Sequence, residues 1–547
     1  MNPSYTRLSH DEASSYPLGD PPSSPPRLAK LRIYWLTAVI CCGGILFGYD
    51  SGVIGGVLIF DSFLRDFRYT ADQQTSVSSI AVGIQQAGAL VGCLAIWPLT
   101  NRLGRRRAMM ICSAIFCAGV IFEVLNSHAL SVFYLGRVIC GLGIGGSATV
   151  IPIYLSEMSP KNMRARLGSC YQFTFTVGIF ISYWIDYGIQ FSDPTPSQWQ
   201  VPLALQLVPG ALMGLGMLTL DESVRWLLVH GDSRRAWCSL VWIRASNGPD
   251  VVAEFAEMKH GIEADRHAMD GFHPRELLQW RNTRRLALGI WLFLAQQSTG
   301  ATAMAYFGPQ FFALLVGQNN ASLTLLLTGV FGALKVISCL IFIICIAERF
   351  GRRPLLILGA LSMSLCMLAT ATVVKNDHTQ PIPSSSSSSS IKPTAIGTIA
   401  LIYLDIIIYN FSWGPLIWPC TSELFSSRIR EPGVAIAVAA QWLSNFTWSF
   451  STPYLLAGLG WATFLLFGLL DLFFSGFVGV FLPETAGKSL EEIEALLDSG
   501  SVRADTGGVG HRVAMEEEGL EIEEEELDEG ESAPLNGKGS SERGRRV

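Results

Sequence analysis

The sequence predicts an all-α integral membrane protein, with twelve transmembrane helices in two six-helix halves and a cytosolic helical linker between them. Three observations carry this. Half of the 547 residues are hydrophobic and only 15% are charged, with a mean hydropathy of +0.36; ordinary globular chains carry about 25% charge. Apolar runs of about 20 residues or more, enough to cross a hydrocarbon core roughly 30 Å thick, recur along the chain. Basic residues crowd every second loop, as cytosolic loops of membrane proteins do.

Taken in order, residues 1–32 are polar and rich in proline and serine, as in Pro21-Pro22-Ser23-Ser24-Pro25-Pro26. They lack the short apolar stretch of a signal peptide and read as a disordered cytosolic arm. The first half, 33–219, holds runs near 33–59, 77–99, 108–128, 131–155, 167–189 and 202–219. A charged segment over 220–284 has the pattern of amphipathic helices, for example Val251-Val252-Ala253-Glu254-Phe255-Ala256-Glu257-Met258, and reads as a cytosolic helical linker. The second half, 285–482, holds runs near 286–314, 322–347, 354–374, 394–419, 432–454 and 458–481, with a low-complexity loop at Ser384–Ser390. Residues 483–547 end in an acidic tail containing Glu516-Glu517-Glu518 and Glu523-Glu524-Glu525-Glu526, expected to be largely disordered and solvated or to bind a partner. The 12 cysteines lie mostly in apolar runs, with no metal-ligand spacing, and read as small buried residues.

Orientation follows from Arg102, Arg105, Arg106 and Arg107 after span 2, Lys161, Arg164 and Arg166 after span 4, Arg349, Arg352 and Arg353 after span 8, and Arg428 and Arg430 after span 10. The opposite loops hold few basic residues: Arg65, Arg68, Lys375 and Lys392. Both termini and the linker are therefore expected in the cytosol, and the sequon Asn320-Ala321-Ser322 falls on the outer side.

The loops also repeat. Arg102-Leu103-Gly104-Arg105-Arg106 matches Arg349-Phe350-Gly351-Arg352-Arg353, Ser156-Glu157 with Arg164 matches Ser422-Glu423 with Arg430, and Glu222-Ser223 matches Glu484-Thr485, at offsets of 247, 266 and 262 residues. Three ordered matches on one face make the chain two parallel copies of a six-helix unit, the plan of carriers whose site lies between the halves.

With these loops, the chain resembles a sugar porter of the major facilitator superfamily over roughly residues 40–497. The resemblance rests on Gly48-Tyr49-Asp50-Ser51-Gly52, Tyr134-Leu135-Gly136-Arg137, Tyr154-Leu155-Ser156-Glu157, Gln296-Gln297-Ser298-Thr299-Gly300, Gly414-Pro415 with Trp418, and Pro483-Glu484-Thr485-Ala486-Gly487-Lys488-Ser489-Leu490. Tyr187-Gly188-Ile189, Thr328-Gly329-Val330-Phe331-Gly332-Ala333-Leu334-Lys335-Val336 and Gln441-Trp442-Leu443-Ser444-Asn445-Phe446 look most like fungal quinate-type and hexose permeases. The chain departs from the pattern at Asn101, where an acid is usual, and at Asp221-Glu222-Ser223-Val224-Arg225, which lacks two prolines. A looser latch on the first half is the expectation there.

The resemblance implies roles. Asp50 and Arg137, charges set within spans 1 and 4, are expected to form a proton switch; the bland alternative is a permanent salt bridge. Arg105, Arg106, Glu157, Arg164, Glu222, Arg225, Glu348, Arg352, Arg353, Glu423, Arg430 and Glu484 are expected to form a cytosolic gate network pairing across the halves. Solvated topogenic charge is the alternative, since exposed pairs contribute only about 0–1 kcal/mol each. Gln172, Gln296, Gln297, Thr302, Lys335, Trp418, Trp442 and Asn445 are candidate substrate contacts, because amides match hydroxyls as donors and as acceptors. Tyr306 is a candidate outer gate. Lys335 stands beside a position where an asparagine is usual; it pairs with a carboxylate such as Asp405, snorkels, or binds an anionic substrate. Glu123, Asp405 and Asp471 also lie in spans, and the sequence assigns them no partner.

The expected function is proton-coupled uptake of a sugar, cyclitol or sugar acid (hexose, quinate or galacturonate type) by alternating access, at the plasma membrane. A facilitative uniporter and a non-transporting nutrient sensor on the same fold are the alternatives. No nucleotide-binding loop or complete catalytic constellation is present. The sequence therefore argues against an enzyme or ATP-driven pump, and calls for no cofactor, metal or nucleic acid. The expected partners are the substrate, a proton and the lipid bilayer, with the chain acting as a monomer.

Overall fold

The computed structural model describes residues 26–125, 127–160, 163–269, 273–317, 320–346, 349–379, 393–425, 429–485 and 493. The N-terminal 25 residues, the serine-rich loop, the acidic tail and Glu348 lie outside them.

Among the described residues, twelve helical spans are present. Those of the first half are Pro26–Val57, Gln74–Leu103, Arg105–Val124, Leu130–Met158, Arg164–Ile189, and a sixth made of Ser197–Ala204 and Leu207–Met217. In the second half, span 7 is Trp280–Ser298 continued by Ala301–Val316 and span 8 is Ala321–Ile341 with a π turn to Ile346. Span 9 is Arg352–Thr379, span 10 joins Pro393–Phe411 to Trp413–Glu423, span 11 is Arg430–Leu459 and span 12 is Ala462–Phe481. Span 1 starts at Pro26, a residue tolerated in a helix's first turn, so the last seven residues assigned to the arm are helical. Span 7 starts at Trp280, five residues before the boundary expected for the second half.

Among the described residues, nine helices are long and apolar enough to cross a membrane on composition alone. Spans 5, 7 and 11 fall short. These carry Gln172, Gln296, Gln297 and Asn445, and their polarity is what a cavity-facing helix requires.

Small residues set the packing within the first half. An added Cβ at Gly145 would lie 1.9 Å from the Ala89 carbonyl oxygen and one at Gly141 2.1 Å from that of Gln85, so spans 2 and 4 touch backbone to backbone. Gly48 does the same for spans 1 and 5, against the Phe175 carbonyl. Lipid tails are as apolar as leucine, so close approach and dispersion, not apolar burial, hold such pairs together. Gly145→Val is therefore expected to remove most folded carrier from the membrane. The monodisperse peak of a tagged protein in detergent gel filtration checks this; an unchanged peak would show that spans 2 and 4 separate without penalty.

Two spans are broken. At Gly300 the backbone turns left-handed (φ 82°), and a side chain would also strike the Phe467 ring. At Ser412 (φ −139°, ψ −84°) span 10 breaks. The Gln296 amide nitrogen donates to the carbonyls of Trp413 (2.9 Å) and Gly414 (3.2 Å), tying span 7 to this break. Broken helices survive at membrane depth where such side chains satisfy freed backbone groups.

The linker forms helices Val224–Val229, Ser233–Arg244 and Pro249–Met269. It is fixed beneath the first half. Arg32 donates to the Trp242 carbonyl (2.5 Å), Arg244 holds Glu254 through two bonds and the Met158 carbonyl through a third (3.0 Å), and Ser239 donates to the Glu222 carbonyl (2.8 Å).

Candidate functional site

The basic loops form two copies of one device. Gly104 and Gly351 precede spans 3 and 9, and the first-turn amides of those spans point at a glutamate delivered from the end of each half. Glu222 accepts from the amides of Arg105 (2.8 Å) and Arg106 (3.1 Å); Glu484 accepts from those of Arg352 (3.0 Å) and Arg353 (3.1 Å). A carboxylate at a helix N-terminus meets orphan donors and the positive end of the dipole. A Cβ at Gly104 would lie 2.2 Å from Glu222 Oε2 and one at Gly351 2.6 Å from Glu484 Oε2, which explains the glycine in both loops. The arginine side chains complete the device. Arg105 binds Glu157 (3.0 and 3.1 Å) and Arg352 binds Glu423, while Arg106 and Arg353 donate to carbonyls closing spans 6 and 12.

This differs from the expected network in one respect. The Arg105–Glu157 and Arg352–Glu423 pairs each stay inside one half, because span 3 lies against span 4 and span 9 against span 10. Where the two prolines are missing, the local contacts are in place: Glu222 keeps its amides, Ser223 donates to Glu157, and its hydroxyl caps the following helix by accepting from the Trp226 amide (3.2 Å). Arg430 reaches the Phe425 carbonyl (3.5 Å) and Arg225 has partners of its own. The side chain of Arg164 and all of Glu348 lie outside the described residues.

Among the described residues, three hydrogen bonds that join the halves lie toward the opposite end. Ser79 donates to the Phe450 carbonyl, the Tyr183 hydroxyl to that of Ala305 (2.6 Å), and Tyr454 pairs with Ser76 (3.5 Å). Gly55 lets span 1 approach the Tyr306 carbonyl, where a Cβ would stand 2.4 Å away. The structure is thus closed at the end away from the basic loops.

Between the two ends, Asp50 and Arg137 meet as the sequence placed them. Arg137 Nη1 lies 2.9 Å from Asp50, and both residues are buried. Gln85, which the sequence reading overlooked, bridges them: its amide nitrogen donates to Asp50 and its oxygen accepts from Arg137. Arg137 Nε also donates to the Ala81 carbonyl (3.1 Å), and Glu123 stands 3.5 Å from Nη1. Two adjacent amides in an otherwise apolar span were the available signal.

The second amide, Gln86, donates to the Tyr306 hydroxyl (3.0 Å), which also accepts from Asn445 (3.4 Å). Tyr306 is therefore the point where spans 2, 7 and 11 meet across the halves. The side-chain oxygens of Gln86, Gln296, Gln297 and Asn445 are buried and accept no hydrogen bond from the described residues. Trp442, a candidate from the sequence, joins an aromatic wall whose other two members the sequence reading missed: Phe47 touches Phe175 (4.7 Å between centroids) and Trp442 (5.5 Å), and Lys335 Nζ lies 5.8 Å over the Phe175 ring.

Lys335 is buried, and no carboxylate among the described residues lies within ion-pair distance of it. The suggested pairing with Asp405 is not made. Asp405 faces into the second half, near Cys366 and Asp471, whereas Lys335 faces span 5 of the first half. Thr302 stands beside Tyr409 of span 10, Trp418 packs edge-on against Phe293 (5.2 Å), and Gln172 is half-buried on span 5.

Comparison with known proteins agrees with this architecture. A family profile described as "Sugar (and other) transporter" matches residues 36–497. The quinate permease of Emericella nidulans is 32% identical over 488 residues, covering 88% of this chain and 91% of the relative. A probable quinate permease of Aspergillus flavus is 31% identical, covering 90% and 94%. Among solved structures, the inward-open xylose transporter XylE from E. coli superposes with a TM-score of 0.69 at 26% identity, over 85% of this chain and 99% of XylE. The proton:xylose symporter XylE bound to 6-bromo-6-deoxy-D-glucose gives 0.68 at 26% identity, over 86% and 99%. Twelve spans in two repeated halves, the capped Gly-Arg-Arg loops and these matches lead to one conclusion: the chain is a multi-pass membrane carrier, not an enzyme, and belongs to the sugar transporter family of the major facilitator fold.

Proposed function

We propose that the carrier moves a hydroxylated ring acid of the quinate type inward together with a proton, by alternating access across the plasma membrane. The basic loops, linker and termini then face the cytosol, as the charge bias of the loops requires. The observation that carries the reading is the set of buried amide oxygens on spans 2, 7 and 11 that accept no hydrogen bond from the described residues, two of them on the amides that hold Tyr306. A buried acceptor without a partner is costly, and a polyol presents the hydroxyl donors that match it. Lys335, buried with no carboxylate of the described residues in ion-pair reach, supports a substrate that brings one. The quinate permeases among the relatives support the same class.

Asp50 and Arg137 supply the coupling. Protonating Asp50 from the acidic outer side releases Arg137, and the freed guanidinium changes which helices the first half holds together. The matching symporter supports this coupling. Tyr306, held by Gln86 and Asn445, closes the outer end over the substrate. The capped arginine loops make each half a rigid body that rocks as a unit.

The test is uptake of labelled quinate and labelled glucose in transport-null cells, at outer pH 5 and pH 7, with and without protonophore. Quinate uptake is expected to rise in acid and collapse with protonophore. Glucose uptake indifferent to both would replace the proposal with a sugar facilitator. Binding of either solute without uptake would point to a sensor.

A further inference from the structure

The proton switch contains a group that the coupling above leaves unused. Glu123 of span 3 is buried, and its Oε1 lies 3.5 Å from the same Arg137 Nη1 that lies 2.9 Å from Asp50. Its Oε2 meets the hydrogen-bond criteria with no partner among the described residues, the Cys140 thiol being its polar neighbour. It is held in place: a Cβ at Gly136 would lie 2.8 Å from Glu123 Cγ, so the glutamate packs directly on the span 4 backbone. The charged and titratable groups facing it are Arg137 and Cys140 of span 4 and Asp50 of span 1. Asp50 in turn faces Arg137, the Gln85 amide and, across the halves, Tyr306.

Two carboxylates therefore share one cation in a site shut off from water. With both acids ionised the cluster carries a net charge of −1, and burying unpaired charge is costly. One proton makes it neutral. We infer that Glu123 is a second proton-holding group of the switch: Arg137 holds one carboxylate at a time, and the exchangeable proton rests on the other. This inference rests on the proton-coupled reading given above.

The geometry fits one of the two microstates. Asp50 takes the shorter contact to Arg137 and also accepts from Gln85, as an ionised acid does, while Glu123 takes the longer contact and keeps one oxygen unpaired. In the other microstate the proton sits on an Asp50 oxygen and Arg137 turns to an ionised Glu123. The same nitrogen reaches both acids, so a small shift of the guanidinium suffices. Glu123 thereby removes the penalty of stranding a buried Arg137 each time Asp50 is loaded.

The experiment is quinate uptake by the full chain in transport-null cells, measured against outer pH from 5 to 7.5, with surface expression scored in parallel. Without Glu123, loading Asp50 strands the arginine, so proton-driven uptake needs a more acidic outer side. Glu123→Gln is expected to move the acid midpoint down by about one pH unit, so that uptake at pH 7 falls about tenfold while uptake at pH 5 stays within about twofold of wild type. Glu123→Asp, which keeps the charge, is expected to restore the wild-type midpoint. Glu123→Asn gives a smaller neutral variant should the glutamine form fail to reach the surface. An unshifted midpoint in a neutral variant, at any uptake level, would overturn the inference and leave Glu123 a packing residue. Wild-type uptake that ignores pH and protonophore would instead remove the proton-coupled reading itself.

Discussion

Asp50→Asn is expected to abolish concentrative uptake while leaving exchange intact. The asparagine copies the protonated carboxyl and keeps its size, so the Gln85 bridge and the packing of spans 1 and 4 survive. What is lost is a proton that can leave. In vesicles with two pH units across the membrane, one coupled proton supports an accumulation of at most about 100-fold, since each unit is worth about 1.4 kcal/mol. The variant is expected to fall to no accumulation, yet to equilibrate label by counterflow when both sides hold unlabelled substrate. Accumulation by the variant that remains sensitive to protonophore would move the coupling site away from Asp50. A variant that fails in counterflow as well would make the Asp50–Arg137 pair a structural salt bridge.

What the sequence revealed and what it concealed divide along a physical line. The loop device was legible because it is written twice: Gly104-Arg105-Arg106 with Glu157 and Glu222, and Gly351-Arg352-Arg353 with Glu423 and Glu484, recur in the same order with the same chemistry. Repetition exposes which residues act together, but not which helices they join. The pairs hold each half together, where pairing across the halves was expected. Asp50 and Arg137 were legible because charge inside an apolar run is costly and demands a counter-charge. Gln85 and Gln86 make no such demand, since an amide is tolerated wherever a carbonyl is near; their roles emerge only when span 4 brings Arg137 to one and span 7 brings Tyr306 to the other. Phe47 and Phe175, which flank the expected Trp442 in the aromatic wall, stayed hidden for the opposite reason. Phenylalanine in a membrane helix is common, and only the cross-half packing separates these rings from lipid-facing ones such as Phe473.

Lys335 shows how a helix face decides between readings that spacing leaves equal. Asp405 is on a neighbouring span: Tyr403, two residues earlier, donates to the Leu327 carbonyl of span 8 (2.9 Å). Alternation of faces nonetheless turns Asp405 inward toward spans 9 and 12 and leaves Lys335 directed at span 5. A buried ammonium over an aromatic ring gains about 2 kcal/mol when desolvated, less than the several kcal/mol its burial costs. A carboxylate arriving with the substrate makes up that difference, and an uncharged sugar does not. Lys335→Met is therefore expected to raise the KM for quinate about 10- to 100-fold, the equivalent of a charged hydrogen bond of about 1.5–3 kcal/mol. Uptake of a neutral cyclitol should stay within about twofold of its wild-type rate, and Lys335→Arg should retain most of the quinate preference. Competition of labelled quinate by quinate and by its uncharged methyl ester, in wild type and variant, measures the discrimination directly. If the methionine variant loses both solutes equally, Lys335 is a packing element of the span 5–span 8 contact. If it loses neither, the carboxylate is recognised elsewhere in the cavity.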